Sequence, residues 1–580
     1  MNFSTALKIA DVDDYILPAV ECIKPVKIPR YVGKTESITI EDDGTYVATN
    51  DSGEKFPLAK TKIDLNDCLS CSGCITTAET ILVSQHSVQT FLNLLKVLEY
   101  FECFYFCSWT ICQERKNYEI VVALSPQSLA SLTTSLQRGG ESSLPQRLTE
   151  AFSKVSKEGG ATMRNVRAFC SRLLHSHGIV STPILDTTWS RDVTLFATAE
   201  EFVRAFADQS DAPKLPILTG ICPGWVCYAE KTHFKMPSKP TSGDVSGDGN
   251  GEESVLIQHL SRVRSPQQLL AGVLKRVVRA DGRRLFLVFV MPCYDRKLEA
   301  SRSQFLLDCD DGVAEKEADL VLGTNEFVSV LDAILQNPDP TSIDTVSEDN
   351  LIHRRLSELL RLERMKGAEE DGDFITYRHA GSGSGGYAFA VLRHAAEHLF
   401  HIHLPLAVNE DPRVLTRYLG NKDLQEILLF NSAEECETAT RNTSAGRTPY
   451  RHTGLRPTAL LSLLIANGFR NIQTVVQQIK RAYAKALSHH STVRAEAPFD
   501  FVEIMACPNG GCLNGGAQLK TDLADVSRIY FSLEEKEVLK SEAAHQLLAT
   551  LDPVSKQHAC YTSYHAVPKV EITNPSVLKW

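Results

Sequence analysis

Three cysteines, Cys68, Cys71 and Cys74, follow one another as C-x2-C-x2-C in the segment DLNDCLSCSGCITTAET. At this spacing successive thiolates can turn inward from a single loop and hold three corners of a [4Fe-4S] cube, the fourth ligand arriving from elsewhere in the chain. Gly73 lets the backbone come close to such a group. A zinc loop or a set of buried thiols is the alternative, but zinc sites favour two separated cysteine pairs over three even steps. Cys22, in AVECIKP, stands alone in a polar, proline-flanked stretch with no apolar periodicity to make it a core residue. It is the candidate fourth ligand.

A second set is scattered in sequence but shares one local context. Residues 215–221 lead into Cys222-Pro223, residues 285–291 into Pro292-Cys293, and residues 501–506 into Cys507-Pro508. Each reads as a buried strand that ends at a cysteine beside a proline. Open α/β sheets bind their ligands beyond the carboxyl ends of the strands, so three such cysteines can converge. Cys512, in the glycine-rich run ACPNGGCLNGG, supplies a fourth thiolate for a second [4Fe-4S] cluster. A single strand-end cysteine is more often a small buried hydrophobe; four with the same proline and glycine setting point to the cluster.

The other residues with chemical potential carry less. Cys170, Cys227, Cys309, Cys436 and Cys560 have no partner at useful spacing and read as structural thiols. Cys103, Cys107 and Cys112 lie in VLEYFECFYFCSWTICQERKNYEI, which reads as a hydrophobic insertion or translated intron before it reads as a third metal site. Cys103 and Cys107 would share one helix face. The loop GSGSGGY has neither the Lys-Ser/Thr of a phosphate loop nor a complete dinucleotide fingerprint. His175, His177, His401 and His403 form two H-x-H pairs better placed at helix ends or on the surface than on a metal.

The elements that must position these residues alternate. YEIVVALSP, LPILTGICPGW and RRLFLVFVMPCYD are strand-like, RNVRAFCSRLLHSHG and SPQQLLAGVLKRVVRA helix-like, and a second instalment runs from FITYRHAGSGSGGY to FDFVEIMACPNGGC. This order specifies α/β architecture with mainly parallel strands in two lobes. The expected organisation is an N-terminal metal domain over 1–90, the insertion over 91–117, lobe 1 over 118–335, a linker over 336–374, lobe 2 over 375–545 and a tail over 546–580. Polar insertions rich in glycine, serine or proline are expected at MPSKPTSGDVSGDGNGEES, KGAEEDGDF and EECETATRNTSAGRTPYRHTG.

Composition agrees with a globular protein. The 580 residues are 43% hydrophobic and 23% charged, with 61 Lys+Arg against 71 Asp+Glu for a net charge of -10. Nothing basic is in excess to neutralise phosphates, which excludes nucleic acid as the main partner. The first residues, MNFSTALKIADVDDYILP, resemble neither a signal nor a transit peptide, and the apolar run 285–291 is far shorter than a membrane span. The expectation is a cytoplasmic protein with no membrane partner. Thiols stay reduced there, so 16 cysteines point to metal or catalysis before disulfides.

The phrases LPILTGICPGWVCYAEK, RSPQQLLAGVLK, VMPCYDRKLEA, ADLVLGTNEF and EIMACPNGGCLNGG, in this order, resemble the large catalytic domain of iron-only hydrogenases. With ECIKP and DCLSCSGCITTAET added, the chain more closely resembles the hydrogenase-like cytosolic iron-sulfur assembly factors, also called nuclear prelamin A recognition factor-like proteins. The resemblance covers most of residues 1–545. It implies an iron-only-hydrogenase-like two-lobed parallel-sheet core behind a small N-terminal ferredoxin-like cluster domain. It implies two [4Fe-4S] clusters, one on Cys22, Cys68, Cys71 and Cys74, the other on Cys222, Cys293, Cys507 and Cys512. It also implies a non-catalytic role linking an early cluster scaffold to a late targeting complex, in the cytoplasm with the nucleus as a second compartment.

Departures from the hydrogenase pattern separate the two relatives. Hydrogenases place a proton-passing cysteine just before the ligand of the first motif; here Ile221 stands there and has no proton to exchange. Arg296 replaces a hydrogenase lysine, and a guanidinium is a different donor fork. Within the assembly factors the last two ligands are usually C-x3-C, whereas residues 507–512 are C-x4-C; Gly510 and Gly511 let the extra residue bulge. The chain ends Leu578-Lys579-Trp580, and Trp580 is an aromatic anchor of the kind that fills a partner's pocket. The resemblance assigns that pocket to the targeting complex, with Lys579 where an acidic residue is usual. An active hydrogenase and a zinc-stabilised interaction protein remain the rival readings. Cys68→Ala is expected to lose the N-terminal cluster with the fold intact; full iron and sulfide content after anaerobic reconstitution would refute this.

Overall fold

The computed structural model describes residues 35–40, 46–50, 55–57, 85–99, 118–139, 144–155, 160–176, 184–209, 212–232, 255–278, 284–307, 315–336, 356, 359, 376–381, 383–444, 459–508 and 511–566. Cys22, Cys68, Cys71, Cys74, Cys103, Cys107, Cys112, Cys309, Asn509, Gly510 and Trp580 lie outside the described residues. The chain divides into two units, Met1–Ile81 and Leu82–Trp580. In the first, β1 (Thr35–Ile40), β2 (Tyr46–Asn50) and β3 (Lys55–Pro57) form an antiparallel meander. In the second unit Phe91, in the helix Val88–Glu99, is buried in a core.

The second unit is built on two sheets. The first has the order β10-β7-β4-β5, from β4 (Tyr118–Leu124), β5 (Leu185–Asp186), β7 (Arg284–Met291) and β10 (Leu320–Gly323), and every pairing is parallel. The apolar run RLFLVFVM suits a strand covered on both faces, and its side chains divide accordingly. Leu285, Leu287 and Phe289 enter one core, and Val288 and Val290 enter the other. The antiparallel pair β8 (Leu306–Leu307) and β9 (Glu315–Lys316) lies between β7 and β10 in sequence.

The second sheet has the order β11-β12-β13-β14-β6, from β6 (Ile217–Leu218), β11 (Val414–Tyr418), β12 (Leu424–Leu429), β13 (Leu461–Asn467) and β14 (Phe501–Met505). Strands β13, β14 and β6 are parallel, while β11, β12 and β13 are antiparallel neighbours. β6 lies within residues 118–335 yet pairs with β14, Ile217 opposite Phe501 and Leu218 opposite Val502. The core that takes Leu287 and Phe289 of the first sheet also takes Leu463, Ile465, Phe501 and Ile504 of the second. Among the described residues no helix is long and apolar enough to cross a membrane.

One buried ion cluster ties the surroundings of the site together. Glu317 is fully buried, with Oε2 2.6 Å from Arg264 Nη1 and Oε1 2.7 Å from Arg276 Nη2. Arg264 also donates through Nε to Tyr561 O at 2.9 Å, so the same guanidinium anchors the C-terminal segment. Removing one member of a buried pair leaves an uncompensated charge, typically a loss of about 3–5 kcal/mol. Glu317→Gln is therefore expected to lower the unfolding free energy of the second unit by an amount in that range, measured by urea titration; an unchanged free energy contradicts the assignment.

Candidate metal centre

Short local devices deliver Cys222 to its position. After β6 the backbone continues beside β14, Thr219 N donating to Val502 O at 3.0 Å and Ile504 N donating to Thr219 Oγ1 at 2.8 Å. Trp225 Nε1 donates back to Thr219 O at 3.0 Å, which closes the turn. Cys222 is the residue that caps the helix Pro223–Lys231, with Pro223 at its first position, where the missing N–H costs nothing. Its Sγ accepts from Ala506 N at 3.3 Å, so the sulfur lies against the residue that precedes Cys507.

The other three cysteines are joined to this point by backbone contacts. Cys507 follows β14, and Cys512 sits in the 3-10 turn Gly511–Asn514. Asn514 Nδ2 donates to Pro508 O at 3.2 Å, and Gln518 Nε2 bridges Cys512 O at 3.3 Å and Gln127 O at 3.1 Å. Cys293 follows β7, and its neighbour Pro292 accepts from Ala517 N at 3.0 Å. A Cβ on Gly515 would lie 2.2 Å from Pro292 O, so only glycine lets the loop after Cys512 pass the loop before Cys293. A Cβ on Gly224 would lie 2.4 Å from Asp295 Oδ2, and Asp295 accepts from Cys293 Sγ at 3.5 Å. The structure thus brings the segments of Cys222, Cys293, Cys507 and Cys512 into mutual contact.

Electrostatics test whether these residues suit a cluster. All four are free thiols; Cys222, Cys293 and Cys507 are buried and Cys512 is half-buried. Burial, and then the neighbouring Cys507, push the Cys222 thiol well above its ordinary range. Burial and Cys507 push Cys512 up to about 11, against the pull of Arg296 and Arg191. Thiols near enough to raise one another resist ionising together, and a bound metal reverses that, because the thiolate is the ligand. Among the described residues no three His, Cys, Asp or Glu side chains gather tightly enough for a single ion. A tetrahedral zinc holds sulfurs at about 2.3 Å, whereas a cube takes one thiolate at each of four iron corners. The donor set, four thiols without a disulfide, suits a cube.

Two buried cations stand beside the thiols. Arg296, three residues after Cys293, pairs with Glu299 at 2.7 Å; burial works against its charge, but Glu299 and the Cys512 and Cys222 sulfurs hold it above the usual arginine range. Arg191 lies in the helix Thr188–Phe206, far from any cysteine in sequence. Sequence reasoning missed it; the available signal was a charged Arg191-Asp192 pair inside a helix whose other first residues are small or apolar. The loop GSGSGGY contributes too: a Cβ on Gly511, at φ +67°, would lie 1.9 Å from Ser384 Oγ, so this loop packs against the turn that carries Cys512. Ile221 is buried in the core between the sheets. Of the remaining cysteines, Cys170, Cys436 and Cys560 are buried and Cys227 is half-buried.

The family described as iron only hydrogenase large subunit, C-terminal domain, matches residues 120–242 and 252–516. A cytosolic Fe-S cluster assembly factor of Xenopus tropicalis is 31% identical, covering 100% of this chain and 99% of its own. The cytosolic iron-sulfur assembly component 3 of Pongo abelii is 33% identical, covering 98% of this chain and 97% of its own. A solved [FeFe]-hydrogenase of Chlamydomonas reinhardtii aligns with a TM-score of 0.45 at 20% identity, over 77% of this chain and 94% of that one. The chain belongs to the iron-only hydrogenase large-subunit family and, by its full-length match, to the cytosolic iron-sulfur assembly factors within it.

Proposed function

We propose that this protein is a component of the cytosolic machinery that matures iron-sulfur proteins, and that it holds two [4Fe-4S] clusters without catalysing a reaction of its own. Cys22, Cys68, Cys71 and Cys74 hold the first cluster; Cys222, Cys293, Cys507 and Cys512 hold the second. The observation that carries the reading is the meeting of four free thiols from three strand ends and one glycine-rich turn in a buried space. The names of the full-length relatives support the cytosolic assembly role. The protein links an early cluster scaffold to a late targeting complex, with Trp580 as the anchor on the latter.

The chain's own residues divide the work. Cys222, Cys293, Cys507 and Cys512 supply anionic sulfur, and Ala506 N–H steadies the first of them. A bound cube supplies a one-electron redox centre or a unit of iron and sulfide for delivery. Gly224 and Gly515 permit the close backbone approaches that hold the loops. Ile221 supports the non-catalytic reading, since a buried aliphatic side chain beside Cys222 hands on no proton. The second centre is accordingly structural and the first, on the closely spaced C-x2-C-x2-C run, the labile one.

Iron, acid-labile sulfide and paramagnetic resonance on the anaerobically purified chain test this. Iron and sulfide in equal amounts with two distinguishable cluster signals are expected; a colourless protein holding zinc and no labile sulfide overturns the reading, and hydrogen evolution establishes the hydrogenase instead. Cys222→Ala is expected to erase the buried signal and lower the thermal midpoint more than Cys68→Ala does, because it removes a ligand of the cluster whose other ligands come from both sheets. Equal midpoints in a calorimeter would contradict the division into structural and labile centres.

A further inference from the structure

Arg191 is one of the most deeply buried cations near the site, 5% exposed, and its hydrogen bonds go to neutral groups. Nη1 donates to Tyr530 OH at 2.9 Å and Nη2 to Gly385 O at 2.7 Å. Gly385 adjoins Ser384, which lies against Gly511, the neighbour of Cys512. The guanidinium is thereby fixed one short loop from a ligand sulfur. Arg296 differs, because it has a carboxylate partner in Glu299 at 2.7 Å. Among the described residues Arg191 has no carboxylate ion pair.

Neither neighbouring carboxylate forms an ion pair with it. Asp192 takes Tyr377 OH and Ser541 Oγ on Oδ2, each at 2.5 Å, and the His379 ring on Oδ1. Glu503, on β14, accepts Ala388 N at 2.8 Å on Oε2 at the start of the helix Tyr387–Phe400, and its buried Oε1 has no hydrogen-bond partner. An unpaired buried guanidinium is expensive unless some anion answers it. The ligand cysteine next along this route is Cys512, since Gly385, which Arg191 holds, adjoins Ser384, and Ser384 packs on Gly511.

We propose that Arg191 is the fixed counter-cation of the buried centre, setting its reduction potential from behind Cys512. The inference rests on the two-cluster reading. A cube on four thiolates is anionic, and one more electron makes it more so; net charge is among the factors that set its potential. A permanent cation stabilises the reduced form more than the oxidised one and moves the potential upward. Arg191 is a positioning residue in this sense: it acts on the centre through space and transfers nothing.

The test uses the full chain carrying Cys68→Ala, so that one cluster remains, reconstituted anaerobically and titrated with dithionite at controlled potential under paramagnetic resonance. Arg191→Gln is expected to lower the reduced fraction at a fixed potential about tenfold, a shift of about 59 mV for a one-electron couple. Arg191→Lys keeps the charge and is expected to stay near the parent, as is Tyr530→Phe, which removes a hydrogen bond and no charge. If Arg191→Gln holds no cluster, Arg191→Lys decides: a retained cluster at the parent potential supports the charge role, and its loss overturns it. An unmoved midpoint in Arg191→Gln at full iron content overturns the inference and leaves the cluster assignment standing. A parent chain without iron overturns the two-cluster reading itself.

Discussion

Four thiols drawn into one buried space are the constraint on which the rest of this structure depends. Each must lose a proton to hold metal, yet burial and the approach of the other sulfurs oppose that loss for Cys222 and Cys512. The fold answers with fixed positive charge and positive dipole ends. Cys222 caps the helix Pro223–Lys231, where backbone N–H groups favour an anion, and Ala506 N–H adds a direct contact. Arg296 and Arg191 stand behind Cys512. A site assembled this way is costly when empty and stable when filled, which is the behaviour expected of a resident cluster.

The two sheets make the convergence possible. Cys222 and Cys507 follow adjacent parallel strands of one sheet, so their separation is set by strand spacing. Cys293 follows β7 of the other sheet, and the turn with Cys512 crosses to it through Ala517 and Pro292. A loss of packing between the sheets would therefore separate the four cysteines in pairs. The shared core, with Phe289 from one sheet and Phe501 and Ile504 from the other, is what keeps the pairs together.

Much of this was legible in the sequence because its signals are local. The runs before Cys293 and Cys507 are continuous and apolar, and both became buried strands, β7 and β14. The run before Cys222 was legible only in part: Ile217 and Leu218 form ladder pairs, and the rest of the approach is held by Thr219 and Trp225 side-chain bonds. That β6 joins β14, nearly 300 residues later, has no sequence signal, since strand partners are chosen by the packing of the whole chain. The β11 and β12 hairpin went unread because Thr416, Arg417, Gln425 and Glu426 blur its alternation. Arg191 was invisible for a related reason. Its meaning comes from Gly385 and Tyr530, 194 and 339 residues away.

The approach to Cys222 also bears on what the centre can do. Tyr564 OH donates to Gly220 O at 3.1 Å, and a Cβ on Gly220 would lie 2.4 Å from Ser261 O and 2.7 Å from that hydroxyl. Arg302 lies over the Tyr564 ring at 5.8 Å and pairs with Glu230 on the helix that Cys222 begins. Thr562 N donates to Arg262 O at 2.8 Å, which lays the C-terminal segment along residues 262–264. The first motif is thus closed on one side by Tyr564 and filled by Ile221. Such a closure keeps water from the buried Cys222 sulfur, and the hydrophobic shell around a site of this kind controls its solvent access.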